Sequence, residues 1–202
     1  MTTANKITIV RILLIPVFVT LAVYYGRSVE QGAPVEWQRI AAIIVFVIAA
    51  ASDGVDGYIA RHFNQRSRLG SILDPIADKG LLFSALLSLS FTNWPYQFPL
   101  WFPILVIARD LVVLGGTALL YAFIGPVQVR PTWTGKVATA LQMASIAGAM
   151  LQLPWTFPGG TGASFLFLDG LVVATGVFTF VSGVGYVMEG IRLLQAGDPP
   201  NA

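Results

Sequence analysis

Six apolar stretches, at about 6–26, 37–61, 71–91, 101–124, 132–153 and 165–192, constrain this chain more than anything else in it. A helix needs about 20 apolar residues to cross the hydrocarbon core of a bilayer. In lipid every backbone N–H and C=O must find a partner inside the protein, which leaves only helices and closed β-barrels. A barrel would show alternating segments of about ten residues, and those are absent. Only 11% of the 202 residues are charged, against 55% hydrophobic, where a soluble domain carries roughly 25% charged residues. The expected fold is all-α: a polytopic membrane protein with six transmembrane helices in one bundle. Residues 1–202 are expected to form a single domain, with 196–202 as a frayed polar tail. Ile7 to Tyr25 is long for the apolar region of a signal peptide and lacks a small-residue cleavage site, so it reads as the first span.

Turn formers separate the stretches: QGAP, TNWPYQFP, GPVQVRPT and LPWTFPGGTG. Six crossings put both termini on one side of the membrane with the 62–70 and 125–131 connections. That side collects Lys6, Arg11, Arg61, Arg66, Arg68, Lys79, Arg130, Lys136 and Arg192, while the other has Arg27 and Arg39. Lysine and arginine accumulate on cytoplasmic faces, so both termini are expected in the cytoplasm. Trp94, Trp101 and Trp155 are expected at the opposite interface, where amphipathic rings sit. The net charge of +2 follows this topology and gives no reason to expect nucleic acid as a partner.

The cytoplasmic segment between the second and third stretches, DGVDGYIARHFNQRSRLGSILDPIAD, holds four of the ten carboxylates: Asp53, Asp56, Asp74 and Asp78. Acids beside hydrocarbon are costly and usually face a wet or protein-lined interior where they serve a function. Asp53 and Asp56 are three apart, and Asp74 and Asp78 four apart, so each pair shares one helix face. Four facing carboxylates repel one another unless cations intervene. The chain has no cysteine and one histidine, His62. An oxygen-only donor set suits Mg²⁺, Mn²⁺ or Ca²⁺ rather than zinc. Two divalent ions would balance four acids, and paired ions clamp the oxygens of a phosphoryl displacement. A single acid here would more simply be a cap, as Asp74 before Pro75 could be. That reading does not account for two pairs at helical spacing.

The neighbouring residues fit a phosphate site. Gly57 and Ala60 leave room for close approach, and Arg61 offers a bidentate fork to phosphate. Ser67 and Gly70 say little singly. The whole stretch reads D-x2-D-G-x2-A-R-x8-G-x3-D-x3-D, and at every fixed position it is similar to the signature of the CDP-alcohol phosphatidyltransferase family. The resemblance covers most of the chain, since that family has a six-helix membrane core with this motif across helices two and three.

The resemblance implies a donor, CDP-diacylglycerol, an acceptor that is a polyol or a lipid, and two Mg²⁺ or Mn²⁺ ions. It assigns metal binding to Asp53, Asp56 and Asp74. It gives Asp78 a share of the metal and the role of catalytic base. It matches Gly57, Ala60, Arg61, Ser67 and Gly70 to the donor site, with Asn5 and Thr8 helping to close it. It also implies a homodimer; the expected location is a cell inner membrane, with the active site on the cytoplasmic side that the lysines and arginines mark.

The acceptor is less constrained. NKITIVRILLIP and GKVATALQM resemble segments of the phosphatidylglycerophosphate synthases of this family. Arg109–Asp110, without a following arginine, and RPTWTGKVATALQ also resemble its cardiolipin synthases, so glycerol 3-phosphate leads and phosphatidylglycerol is the alternative. Arg109, deep in the fourth stretch, either pairs with an acid or binds substrate. Arg130 and Lys136 either anchor the cytoplasmic edge or hold an acceptor phosphate. A divalent-cation transporter would also bury acids, but near the midplane and within repeats, and no repeat is visible.

Overall fold

A computed structural model of the chain describes residues 3–62, 68–124, 133–152 and 162–196, with side chains described over 7–52, 77–122, 133–152, 167–193 and at 195. Six helices account for nearly all of these residues: α1 Thr3–Glu30, α2 Glu36–His62, α3 Arg68–Phe91, α4 Trp101–Ile124, α5 Trp133–Leu151 and α6 Gly162–Ala196. Among the described residues there is no strand. Each helix overlies one of the apolar stretches, because a continuous apolar run can satisfy its backbone only internally. Among the described residues three helices are long and apolar enough to cross a membrane, at Ile7–Glu30, Trp101–Ala122 and Phe167–Leu193. The tail expected to fray lies outside the described residues apart from Ala196.

The helices fall into two compact units. One comprises Met1–Phe98 and Ile146–Leu153, the other Pro99–Ser145 and Pro154–Ala202. In the first, α1 packs against both α2 and α3. Its buried seam runs Thr8, Arg11, Phe18, Ala22 and Tyr25, with half-buried Ile15 in the gap. The alternating spacing of three and four residues keeps one stripe facing its neighbours. Phe18 meets Phe46 of α2 with ring centroids 5.7 Å apart. Gly26 lets α3 approach: a Cβ there would sit 2.7 Å from the Thr92 Cβ. α1 ends on Gly32 in the left-handed region, with Gly32 N–H donating to Val29 O and Ala33 N–H to Ser28 O, both at 3.0 Å. These are the two bonds that close a helix C-terminus on a glycine.

Trp94 lies in the connection that follows α3. It is buried, donates Nε1–H to Ala22 O at 3.1 Å and meets Tyr25 edge-on at 4.6 Å. Its indole N–H has found a carbonyl inside the protein, which a buried tryptophan needs. Trp101 keeps an exposed face, and Trp155 lies outside the described residues.

In the second unit α4 packs on α6. Gly176 receives the Trp101 ring, since a Cβ would come within 2.7 Å of it. Further along the same pair, Gly183 lies over the Arg109 stem and Gly190 over Leu120. Rising numbers on both helices mean that α4 and α6 run parallel. α5 runs against α6: Gln142 Nε2 donates to Thr179 Oγ1 at 3.1 Å, and the Ser145 and Thr175 hydroxyls share a bond at 3.1 Å. Successive helices therefore alternate in direction within this unit, as a chain threading back and forth through a bilayer must.

Candidate active site

The two aspartate pairs occupy helical backbone. Asp53 and Asp56 lie in the last turns of α2, Asp74 and Asp78 in the early turns of α3. Each pair keeps the three- or four-residue spacing that shares a face. α2 and α3 contact each other as well as α1. The Asp78 side chain is half-buried and engaged by a partner. The side chains of Asp53, Asp56, Gly57, Ala60, Arg61, Gly70, Asp74 and Asn5 lie outside the described residues, as do Ser67 and Arg130 entirely. Among the described residues no three His, Cys, Asp or Glu side chains gather; Asp78 is the one aspartate of the four that this describes. The donor chemistry fits hard divalent ions: carboxylates on two contacting helices, with no thiolate in the chain.

On α1, Thr8 is fully buried and engaged one turn before Arg11. Arg11 is fully buried too, and its Nε donates to Ala49 O and to Ser52 Oγ, each at 3.1 Å. Ser52 in turn donates to Ala49 O at 2.7 Å. Arg11, which the charge pattern only counts on the cytoplasmic side, is thus a cation held inside the helix seam. Its position between Thr8 and Phe18 in a three-four repeat was the sequence signal for burial.

In the second unit Arg109 and Lys136 line one open cavity of about 570 Å³ together with Val113, Gly135, Thr139 and Tyr186. Cavities of roughly 300–1,000 Å³ are the usual size of small-molecule sites. Arg109 Nη1 pairs with Asp110 at 2.7 Å and Nη2 donates to Ser182 Oγ at 2.9 Å. Both expectations for Arg109 therefore meet in one residue, because it pairs with an acid and also lines a cavity. Its Nε is buried with no hydrogen-bond partner among the described residues. Gly135 and Lys136 belong to the first turn of α5. A helix N-terminus carries unpaired N–H groups and the positive end of the dipole, which favours an anion. Tyr186, whose hydroxyl bonds to Thr117, and Thr139 had no sequence signal. Only the crossing of α4, α5 and α6 brings them to the cavity.

Residues 1–182 match the model of the CDP-alcohol phosphatidyltransferase family. A Bacillus subtilis protein named CDP-diacylglycerol–glycerol-3-phosphate 3-phosphatidyltransferase is 35% identical over 201 residues, covering 96% of this chain and 97% of its own. The Escherichia coli protein of that name is 30% identical over 178 residues, 87% of this chain and 91% of its own. A probable phosphatidylglycerophosphate synthase of Mycobacterium tuberculosis is 32% identical over 189 residues, 94% and 81% of the two chains. Aspartates paired on two contacting helices, in a match that runs nearly end to end, set aside the transporter: the chain belongs to the CDP-alcohol phosphatidyltransferase family.

Proposed function

We propose that this membrane enzyme makes phosphatidylglycerophosphate, transferring the phosphatidyl group of CDP-diacylglycerol to glycerol 3-phosphate and releasing CMP. The observation that carries the acceptor is the relatives in Bacillus subtilis and Escherichia coli, whose names state both donor and acceptor and which align with 96% and 87% of this chain. The cavity shared by Arg109 and Lys136 supports it, since glycerol 3-phosphate brings an anion that must lose water at a membrane edge. Charge-assisted hydrogen bonds compensate for that loss, at about 1.5–3 kcal/mol each.

On this reading Asp53, Asp56, Asp74 and Asp78 hold two Mg²⁺ or Mn²⁺ ions, which neutralise the donor pyrophosphate when bound. Gly57, Ala60, Arg61, Ser67 and Gly70 receive the nucleotide, with Asn5 and Thr8 closing the pocket. Asp78 takes the proton of the acceptor hydroxyl as its oxygen attacks the phosphorus that carries the lipid, and the P–O bond to CMP breaks. Phosphoryl transfer needs positioning and charge neutralisation more than a covalent protein nucleophile. Arg109, Arg130 and Lys136 hold the acceptor phosphate. All six helices cross the membrane as one domain, with the termini and active site facing the cytoplasm of a cell inner membrane. The enzyme works as a homodimer.

The test is to supply purified protein with CDP-diacylglycerol, Mg²⁺ and either glycerol 3-phosphate or phosphatidylglycerol, then identify the lipid. Phosphatidylglycerophosphate and stoichiometric CMP are expected, with activity lost in EDTA and restored by Mg²⁺ or Mn²⁺. Cardiolipin from phosphatidylglycerol, with glycerol 3-phosphate ignored, would reverse the acceptor assignment. Full activity in metal-free buffer would remove the metals from the mechanism.

A further inference from the structure

Arg11 lies at the level of the aspartates. α1 and α3 run side by side in the same direction, with Ile15 at Gly80 near one end and Gly26 at Thr92 near the other. That offset puts Arg11 level with Ile76, midway between Asp74 and Asp78. Two residues of helix are roughly 3 Å of rise, so neither acid is far along the axis. α2 runs the opposite way, with Phe46 at Phe18 and both Ala49 and Ser52 at Arg11. Asp53 is the next residue after Ser52. Two registers, each read from residues outside the acidic stretch, converge on one level.

A fully buried guanidinium is costly unless its charge is balanced. The acceptors of Arg11 Nε are a carbonyl and a hydroxyl, both neutral. Arg11 is engaged beyond these two bonds, half-buried Asp78 is engaged too, and the aspartates at its level carry the opposite charge. We infer that Arg11 is a built-in counter-ion of the aspartate cluster, a positioning residue that steadies the acids before divalent ions bind and competes electrostatically with those ions. The inference rests on the reading that the four aspartates hold divalent cations. With two such ions bound, the carboxylates are balanced and Arg11 adds its positive charge to that of Arg61, which suits an anionic pyrophosphate donor.

A residue that only pegs α1 to α2 would behave differently, and Mn²⁺ binding without substrate separates the two roles. Free Mn²⁺ is followed by electron paramagnetic resonance on detergent-purified protein, and thermal unfolding is measured in EDTA and in saturating Mn²⁺. Arg11→Gln and Arg11→Met, which remove the charge, should bind Mn²⁺ at least threefold more tightly than wild type. They should also melt lower in EDTA, with the gap closing in Mn²⁺, because a ligand stabilises most the form it binds best. Arg11→Lys, which keeps the charge, should stay within about twofold of wild-type affinity. If the neutral variants fold only when purified with Mn²⁺, that rescue supports the inference equally, and loss of fold that Mn²⁺ does not restore overturns it. Unchanged or weaker Mn²⁺ binding, with the same melting gap in both buffers, makes Arg11 a structural peg and overturns it alone. A wild type that binds no Mn²⁺ overturns the metal reading together with this one.

Discussion

The two units bury polar groups in opposite ways. Around α1 they stand at the two ends: Thr8 and Arg11 lie level with the aspartates and Ser28 closes the other end, while Phe18, Phe46, Ala22, Tyr25 and Trp94 fill the seam between. Between α4, α5 and α6 they are strung along the whole length, from Ser145–Thr175 and Gln142–Thr179 to Arg109–Ser182 and Tyr186–Thr117. Lipid tails are as apolar as leucine, so helices in a membrane associate through close packing and hydrogen bonds rather than through burial from water. The first unit packs apolar side chains along its middle and holds its buried cation, Arg11, at the end where the aspartates lie. The second uses hydrogen bonds as its seam, and its cationic cavity is continuous with that seam through Arg109 and Tyr186.

The largest expected effect falls at the charged end of the first unit. A positioned acid–base group typically contributes 10²–10⁴-fold, so Asp78→Asn should lower kcat at least about a hundredfold while CDP-diacylglycerol still binds. Near-normal turnover would show that Asp78 is not the base. Next comes the packed seam itself. Gly26→Ala places a Cβ against Thr92 and the Asn93 backbone, whereas Gly115→Ala in α4 meets nothing within 4 Å. Overpacking costs about 1–3 kcal/mol, so the first should lower the thermal unfolding midpoint in detergent and the second should leave it unchanged or raise it. Equal effects would erase the contrast in packing.

Arg109→Ala should lower kcat/KM for glycerol 3-phosphate at least about tenfold, about 1.4 kcal/mol, with little change in the KM for CDP-diacylglycerol. A parallel rise in both KM values would make Arg109 a structural ion pair. The smallest effect is in the polar seam. A double-mutant cycle of Gln142→Leu and Thr179→Val should give a coupling of about 0.6 kcal/mol, the mean for such bonds in a membrane. A coupling of several times that value would mean the seam, not the close packing, sets the stability of the second unit.

The six helices were legible because an apolar run of membrane-crossing length is a local property: α2 at Glu36–His62 and α4 at Trp101–Ile124 match their stretches within a residue or so. The helical spacing of the two aspartate pairs was legible for the same reason, since it is written along the chain. Arg109 and Lys136 were visible singly, as charges in apolar surroundings. That they line one cavity with Tyr186 depends on how α4, α5 and α6 cross, and no local pattern encodes that. Trp94 and Arg11 show the same limit in reverse. Their side-chain types place each near a membrane boundary, and those types alone did not show that each would be buried against a neighbouring helix. A side chain's type and its place along a helix are fixed by sequence, but its partners are fixed by the register between helices. One hydrogen bond from Trp94 to Ala22 O, and two from Arg11 to α2, decided where these residues lie.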